Sequence, residues 1–167
     1  PIRFEDNRGF FSEIYNKKKF YDLGIDLDFV QDNQSLSTEI FTLRGLHFQS
    51  PPFAQDKLVR VLNGSILDVA VDIRKNSPTY GDYISVKLSS EKFNQILVPK
   101  GFAHAILTLE KNTEIIYKVT NYYSKENDHG IAWNDKELNI DWGISEEKVI
   151  VSEKDNHQPK FNSLEDY

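Results

Sequence analysis

The feature that most constrains the fold of this chain is a succession of short runs rich in Val, Ile, Phe and Tyr, separated by turn residues. No long segment shows the periodicity of an amphipathic helix, in which apolar residues recur about every three to four positions. Short, evenly spaced runs of this kind are typical of antiparallel all-β domains. Strands are predicted at residues 83–88, 95–98, 103–109 and 113–120, in addition to two runs that precede them.

The strongest local signal is the Asn63-Gly64 dipeptide, which separates the runs at residues 57–62 and 65–73. Asn-Gly supplies the positive φ angles of a tight hairpin turn, so these two runs are predicted to pair with each other. One short helix is predicted at residues 17–23, where Gly24 ends it in the left-handed conformation. The polar segment 145–167 is predicted to be a surface wrap or a short helix.

Together these elements predict an all-β fold, a jelly roll or another β-sandwich or barrel with a few short helices. Inward-facing side chains line the interior of such a fold, which is the expected ligand site. The length of 167 residues suits one domain, residues 1–167. Because the chain starts at Pro1 and contains no Met, a short N-terminal strand is expected to be missing.

Composition excludes several classes of protein. Lys and Arg number 20 against 26 Asp and Glu, a net charge of −6, which argues against a nucleic-acid partner. The absence of Cys excludes a disulfide framework, a zinc finger and a thiol nucleophile, and it fits a reducing compartment. No apolar run approaches the roughly 20 residues of a membrane helix, and no signal core is seen at the start. A cytoplasmic protein without membrane association is predicted.

Four histidines are the first candidates for chemistry: His47, His104, His129 and His157. Strand alternation would place Arg44 and His47 on opposite faces, unless the intervening glycine bulges the strand. Taken alone, His47 is best interpreted as a half-buried histidine bonded to the backbone. His129 and His157 lie in no motif and are predicted to be surface residues.

The string PKGFAH at residues 99–104 resembles the second motif of the cupin superfamily, and His47-x-Gln49 running on to Gly64 resembles the first. Metal-binding cupins carry a second histidine where Gln49 stands, followed by a glutamate that is absent here before Gly64. Two imidazoles without a carboxylate are too few ligands for a strong first-row metal site. The resemblance therefore implies a cupin-type jelly roll without a metal.

A closer resemblance, to the dTDP-4-dehydrorhamnose 3,5-epimerase family, extends in order over nearly the whole chain. It is carried by the strings at residues 6–13, 31–33, 43–49, 54–61, 68–74, 77–81, 117–123, 130–135 and 152–155. The resemblance implies an enzyme that inverts C3, C5 or both of a dTDP-4-keto-6-deoxyhexose, as in dTDP-L-rhamnose synthesis for cell-surface polysaccharide. It also implies a homodimer and no cofactor.

Epimerisation next to a ketone requires a base, an acid on the other side of the ring, and a cation or donor at the developing enolate oxygen. The resemblance assigns His47 as the base, because imidazole titrates near working pH, and Asp155 as the carboxylate that orients it. Tyr117 matches the proton donor of the family. Lys57 would stand beside the keto oxygen.

The resemblance also assigns residues to the rest of the nucleotide sugar. Tyr123 matches the aromatic residue that stacks on thymine. Arginine suits the pyrophosphate because its guanidinium makes paired hydrogen bonds to phosphate oxygens. The positions that match substrate contacts are Arg8, Arg44 and Lys154, together with the other pocket positions Glu13, Gln31, Asn33 and His104.

Without the resemblance, most of these residues have an ordinary structural interpretation. Tyr117 and Tyr123 would be interpreted as core or cross-strand residues, Asp155 as a solvated carboxylate, and Lys57 as an exposed strand residue. Arg8 and Lys154 would likewise be surface charges. Three departures from the family pattern leave the exact sugar open: Asp56 and Ala105 replace usual glycines, and Asp128 replaces a usual glutamate.

Several other functions stay open at this point. A dTDP-sugar 3,4-ketoisomerase needs the same kind of base. An epimerase acting only at C3 or only at C5, on another nucleotide sugar, would use the same scaffold. A metal-dependent cupin oxygenase and a sugar-nucleotide-binding cupin without catalysis are the remaining alternatives.

Overall fold

The structure, a computed structural model, describes residues 1–164 of the chain. In chain order its elements are β1 Phe4–Asp6, β2 Gly9–Phe11, α1 Lys17–Asp22, β3 Gln31–Ser37, β4 Leu43–Gln49, β5 Lys57–Asn63, β6 Ser65–Asp72, β7 Tyr83–Ser89, β8 Gln95–Val98, β9 Phe102–Thr108, β10 Thr113–Val119, β11 Asp128–Gly130 and α2 Glu153–Asn156. Single 3₁₀ turns lie at Lys125–Asn127, Glu146–Lys148 and Phe161–Ser163. None of the helices within residues 1–164 is both long and apolar enough to span a bilayer.

The predicted strands and helix are confirmed where the local pattern was clear. Strands β7 to β10 coincide with the predicted runs to within about one residue at each end. Helix α1 coincides with the predicted helix, and Gly24 follows it at φ +82°. Asn16 caps the start of α1, because its side chain accepts a hydrogen bond from the backbone N–H of Lys19.

Two antiparallel sheets form a β-sandwich, which confirms the predicted all-β architecture. One sheet has the strand order β3-β10-β5-β8, the other β11-β4-β9-β6-β7, and β1 with β2 forms a separate hairpin. Apolar residues from both sheets pack between them, among them Val59 and Ile115 from the four-stranded sheet and Ile66 and Ile106 from the five-stranded sheet. The sheets are therefore held together by one apolar layer, which borders the polar residues described below.

The predicted pairing of the runs on either side of Asn63-Gly64 is wrong. Strand β5 pairs with β10 and β8, whereas β6 pairs with β9 and β7 in the other sheet. Gly64, at φ +80°, carries the chain from one sheet to the other. A Cβ there would lie 2.5 Å from Oγ1 of Thr113, so the corner also requires a residue without a side chain. Both a hairpin and a corner between sheets need the same turn residues, and only burial of both strands distinguishes them.

The segment after β11 covers the outer face of the five-stranded sheet. Trp133, Trp142 and Phe161 are buried there with Leu43 and Val71 of the sheet. The prediction of a surface wrap or a short helix for residues 145–167 agrees with the described part of that segment, where most residues are exposed and the short helix α2 forms. Phe161 is the apolar residue of this part that is buried. Residues 165–167 lie outside the described part of the chain.

The C-terminal segment is fixed against the start of β4. The backbone N–H of Leu43 donates to the carbonyl of Ile150 at 2.8 Å, and the N–H of Ile150 donates to the carbonyl of Phe41 at 2.9 Å. These bonds bring α2, only three residues further along the chain, beside β4. Asp155, a residue of α2, is in this way placed beside Gly45 and His47 of β4.

Candidate active site

A cavity of about 500 Å³ opens between the two sheets. It continues into a second recess of about 440 Å³, and the two share His47, Lys57 and Tyr117 in their walls. Of the predicted site residues, the cavity also contains Arg44, His104, Lys154 and Asp155, and the recess contains Gln31, Asn33 and Tyr123.

An irregularity in β4 places Arg44 and His47 on the same side of the sheet. The register between β4 and β9 shifts between these two residues, and Gly45 has φ +132°. A Cβ on Gly45 would lie 2.5 Å from the Cβ of Ala105, so the strands approach too closely for a side chain. The bulge expected from this glycine is present, and both side chains line the cavity.

His47 is held by a carboxylate from the C-terminal segment. Its Nε2 lies 2.6 Å from Oδ1 of Asp155, whose side chain is 5% exposed, whereas the imidazole is 30% exposed and faces the cavity. Ser152 caps α2 by accepting a hydrogen bond from the Asp155 N–H at 3.1 Å. Burial raises the pKa of the Asp155 carboxyl, but the hydrogen bond and charge of His47, together with hydrogen bonds to the Gly45 N–H and Ser152, outweigh this, and the net pKa lies below its usual value. Asp155 is thus an ionised partner for the imidazole.

Tyr117 and Lys57 stand on the opposite sheet. Tyr117 is the register partner of Val59, two residues after Lys57, so strand alternation directs both side chains to the inner face. Burial raises the pKa of the Tyr117 phenol, an effect that Arg44 opposes and Asp128 reinforces, so the group is a protonated donor at neutral pH.

Lys57 is a half-buried cation beside His47. Its Nζ lies 3.5 Å from the carbonyl oxygen of His47. Burial lowers the pKa of Lys57 to about 8, against the opposing effect of the Asp128 and Asp68 carboxylates. The ammonium group is therefore charged at neutral pH but lies within reach of deprotonation in mild alkali.

A second histidine–carboxylate pair lies directly beside the first. His104 on β9 is the register partner of His47 on β4. Its Nε2 lies 2.9 Å from both carboxylate oxygens of Asp68, a residue with no exposed surface. The predictions from sequence did not include Asp68, although an acidic residue in the otherwise apolar run ILDVAV indicates a buried partner.

The residues predicted to bind nucleotide are distributed around the openings. Arg44 bonds the hydroxyl of Ser37 at 3.2 Å, and Gln31 donates to the side-chain oxygen of Asn33 at 2.8 Å. Lys154 lies at the mouth of the cavity. The site thus combines a few local cations with amide groups, an arrangement that suits an anionic ligand.

Asp128 connects Lys154 and Tyr123, a role that sequence reasoning did not find. Its Oδ2 lies 2.6 Å from Nζ of Lys154 and accepts a hydrogen bond from the Tyr123 hydroxyl at 3.3 Å. The hydrogen bond to Asp128 raises the pKa of Lys154. In the sequence, Asp128 was visible only as a departure from the family pattern.

Arg8 and Glu13 lie away from the cavity of their own chain. Arg8 is exposed in the β1–β2 turn and pairs with Asp6 at 2.6 Å. Glu13 pairs with Lys19 at the start of α1. Neither side chain lines the cavity or the recess.

The other two histidines lie on the surface, as predicted. His129 is exposed and 3.1 Å from the Ser50 hydroxyl, and His157 is exposed beside Glu153. Within residues 1–164, no three His, Cys, Asp or Glu side chains are grouped so as to hold a metal ion. The absence of a metal from the reaction stays a prediction.

Comparison with known proteins identifies the family. The sequence profile of the dTDP-4-dehydrorhamnose 3,5-epimerase family matches residues 1–163. The dTDP-4-dehydrorhamnose 3,5-epimerase of Sinorhizobium fredii is 49% identical over 164 residues, which cover 98% of this chain and 84% of that relative.

Solved structures agree with this match. The dTDP-4-dehydrorhamnose 3,5-epimerase of Bacillus anthracis, with TDP and PPi bound, has a TM-score of 0.93 at 51% identity, covering 96% of this chain and 90% of that one. The dTDP-6-deoxy-D-glucose-3,5-epimerase of Legionella pneumophila, in complex with dTDP-4-keto-L-rhamnose, has a TM-score of 0.93 at 44% identity, covering 99% and 87%. The resemblance first seen in the motifs is confirmed over nearly the whole length, and the chain belongs to the dTDP-4-dehydrorhamnose 3,5-epimerase family.

Proposed function

We propose that this protein epimerises a dTDP-4-keto-6-deoxyhexose at C3 and C5, the reaction for which its relatives are named. The observation that carries this proposal is the placement of the His47–Asp155 pair and Tyr117 on opposite walls of one cavity. A base and an acid that face each other across a sugar ring can remove a proton from one side and return one to the other.

The reaction begins with proton removal by His47. With Nε2 held by Asp155, the other ring nitrogen, Nδ1, takes the proton from the carbon next to the ketone. The electron pair of the broken C–H bond moves into an enolate, whose negative charge lies on the 4-oxo oxygen. The Asp155 carboxylate stabilises the imidazolium that forms, because it is ionised and within 2.6 Å of the ring.

Lys57 and Tyr117 complete the inversion. The Lys57 ammonium stabilises the enolate oxygen, where a charge held in place by the protein is more effective than one in bulk solvent. The Tyr117 phenol then donates its proton to the opposite face of the carbon. No electron is gained or lost, since one C–H bond breaks and another forms at the same atom.

The nucleotide part of the substrate is proposed to occupy the mouth of the cavity and the recess. Arg44 and Lys154 would neutralise the pyrophosphate, and Tyr123 would stack on the base. His104, Gln31 and Asn33 would contact the substrate by hydrogen bonds. Their positions in the walls of the cavity and the recess support these roles.

We further propose a homodimer, in which a second copy completes the site. Arg8 and Glu13 match substrate-contact positions of the family, but they lie outside the cavity of their own chain. The β1–β2 hairpin, which carries Arg8, exposes more than half of the surface of Phe4, Phe10 and Phe11. These side chains form an apolar patch that a partner would cover. Sedimentation equilibrium would show twice the mass of the chain, and a monomer at all concentrations would contradict this proposal.

The site of action is proposed to be the cytoplasm. The complete lack of Cys in the 167 residues fits a reducing compartment. Fractionation of cells that express the protein, followed by detection with a specific antibody, tests this proposal. Recovery from the culture medium or the membrane fraction would contradict it.

The decisive test of the reaction is incubation with dTDP-4-keto-6-deoxyglucose in D₂O. Deuterium at C3 and C5, detected by NMR, is the expected result, and absence of exchange at both carbons by folded protein would rule out the proposal. Movement of the carbonyl from C4 to C3 would indicate a ketoisomerase instead. Deuterium at only one carbon would narrow the function to a monoepimerase.

A further inference from the structure

We infer that Gln49 is the positioning residue for Tyr123, and that it controls nucleotide affinity rather than the chemical step. This inference rests on the proposed function in one respect, the assignment of Tyr123 as the residue that stacks on the base. It deepens that proposal by naming how an exposed aromatic residue in a loop is held in place.

Gln49 forms hydrogen bonds to the backbone on both sides of Tyr123. Its Oε1 accepts the N–H of Ser124 at 2.7 Å, and its Nε2 donates to the carbonyl of Tyr122 at 3.1 Å. The same Nε2 donates to the carbonyl of Phe53 at 2.7 Å, which ties the Tyr123 segment to a neighbouring loop. One amide group thus fixes the peptide units immediately before and after the stacking residue.

The exposures of the two residues agree with these roles, a ring that contacts the ligand and an amide that holds its backbone. Tyr123 is 60% exposed, which leaves much of its ring open to a ligand. Gln49 is 5% exposed, so its hydrogen bonds are sheltered from competing water. The Tyr123 hydroxyl is held separately by Asp128. The Gln49 bonds and the Asp128 bond thus act on different parts of Tyr123, and the Gln49 bonds set the position of its backbone relative to the recess.

The position of Gln49 also links nucleotide binding to the catalytic strand. Gln49 and His47 are two residues apart on β4 and both line the recess, so one strand carries the proposed base and the anchor of the stacking segment. The Gln49 side chain forms hydrogen bonds to backbone groups, and an amide is required there because the side chain must both donate and accept.

The test compares Gln49→Leu with the wild-type protein in two measurements. Calorimetric titration with dTDP should show a dissociation constant raised about tenfold, because a displaced aromatic ring loses its stacking contact. The rate of deuterium exchange at saturating substrate should stay within about twofold of wild type. Gln34→Leu, at an exposed position on the outer face of β3, is the matched control and should change neither quantity.

A double-mutant cycle distinguishes a positioning role from general damage. If Gln49 acts through Tyr123, then Gln49→Leu should have less than about a twofold effect on dTDP affinity in a Tyr123→Ala background. Full additivity of the two effects, or a wild-type dissociation constant in Gln49→Leu, would overturn the inference. So would failure of the wild-type protein to bind dTDP.

A second variant covers the case in which Gln49→Leu does not fold. Gln49→Glu retains the acceptor for Ser124 but loses both donor bonds, so it should weaken dTDP binding and show the same dependence on Tyr123. An unchanged dissociation constant in this variant would also contradict the inference. Because dTDP binding is measured without turnover, failure of deuterium exchange in the wild-type protein would remove the proposed reaction and leave this result standing.

Discussion

Two histidine–carboxylate pairs stand side by side in this cavity, yet they are built differently. His47 is 30% exposed and is paired with Asp155, 108 residues away in the chain. His104 is 11% exposed and is paired with Asp68, which has no exposed side-chain surface. The first pair presents its imidazole to a ligand, whereas the second is largely enclosed by the sheet.

The difference lies in where each carboxylate comes from. Asp68 and His104 belong to β6 and β9, which are neighbours in the sheet over seven register pairs, so their contact follows from strand pairing alone. Asp155 reaches His47 only because the C-terminal segment docks on β4. The enclosed pair is therefore suited to binding and rigidity, and the exposed pair to proton transfer.

The sharpest test of this comparison replaces each histidine in turn. His47→Asn should lower the rate of deuterium exchange by roughly 10² to 10⁴, because it removes the proposed base. His104→Asn should mainly weaken substrate binding, with a much smaller effect on the rate at saturation. Exchange rates and dTDP-sugar titrations measure both effects, and equal losses of rate in the two variants would break the distinction.

The carboxylate of the exposed pair gives the next largest effect. Asp155→Asn should slow exchange by roughly 10²-fold, because the amide keeps the shape but neither fixes the ring nor stabilises its charged form. Nucleotide affinity should change little, since Asp155 makes its contacts with His47, the Gly45 N–H and the Ser152 cap. A loss of dTDP affinity as large as the loss of rate would contradict the orienting role.

The pH dependence separates the two carboxylates further. Because the pKa of Lys57 is about 8, and its charged form is the one that stabilises the enolate, the rate should fall about tenfold per pH unit above pH 8. Asp68 raises the pKa of Lys57, so Asp68→Asn should move this alkaline limb to lower pH. Asp155→Asn should leave the limb in place. If the fall in rate above pH 8 does not shift in Asp68→Asn, the enclosed pair does not influence the pKa of Lys57.

The smallest expected effect comes from the cap of α2. Ser152→Ala removes the side-chain acceptor for the Asp155 N–H and should cost about 1 kcal/mol of local stability. The expected result is a loss of exchange rate of a few fold, with global unfolding by denaturant almost unchanged. Ser145→Ala, at a 3₁₀ turn of the same segment without a side-chain cap bond, is the control and should have no effect on the rate.

Local sequence patterns were sufficient for much of the fold. The runs that became β7 to β10, and the helix ended by Gly24, depend on interactions between residues close in sequence, and they were predicted nearly to the residue. Asn63-Gly64 shows the limit of this approach. The turn was present, but the strands on either side joined different sheets, because pairing depends on which partner buries each strand.

The candidate site was likewise predictable from the sequence only in part. The residue types and their order were sufficient to predict the family and to nominate His47, Lys57, Tyr117 and Asp155. The contacts of Asp68 with His104 and of Asp128 with Lys154 were not visible, because these partners lie 36 and 26 residues apart in sequence. An isolated acidic residue in a strand indicates that a partner exists without saying which one.

By itself, then, the sequence determined the β-rich elements, the family and the chemical groups available for catalysis. The tertiary structure alone decided that β5 and β6 join different sheets after Gly64, that Asp68 meets His104 and that Asp128 meets Lys154. It also supplied the geometry of two expectations from the sequence, the bulge at Gly45 and the contact between Asp155 and His47. The physical reason is that turns and strands follow from local steric and apolar patterns, whereas sheet partners and long-range ion pairs follow from the burial of the whole chain.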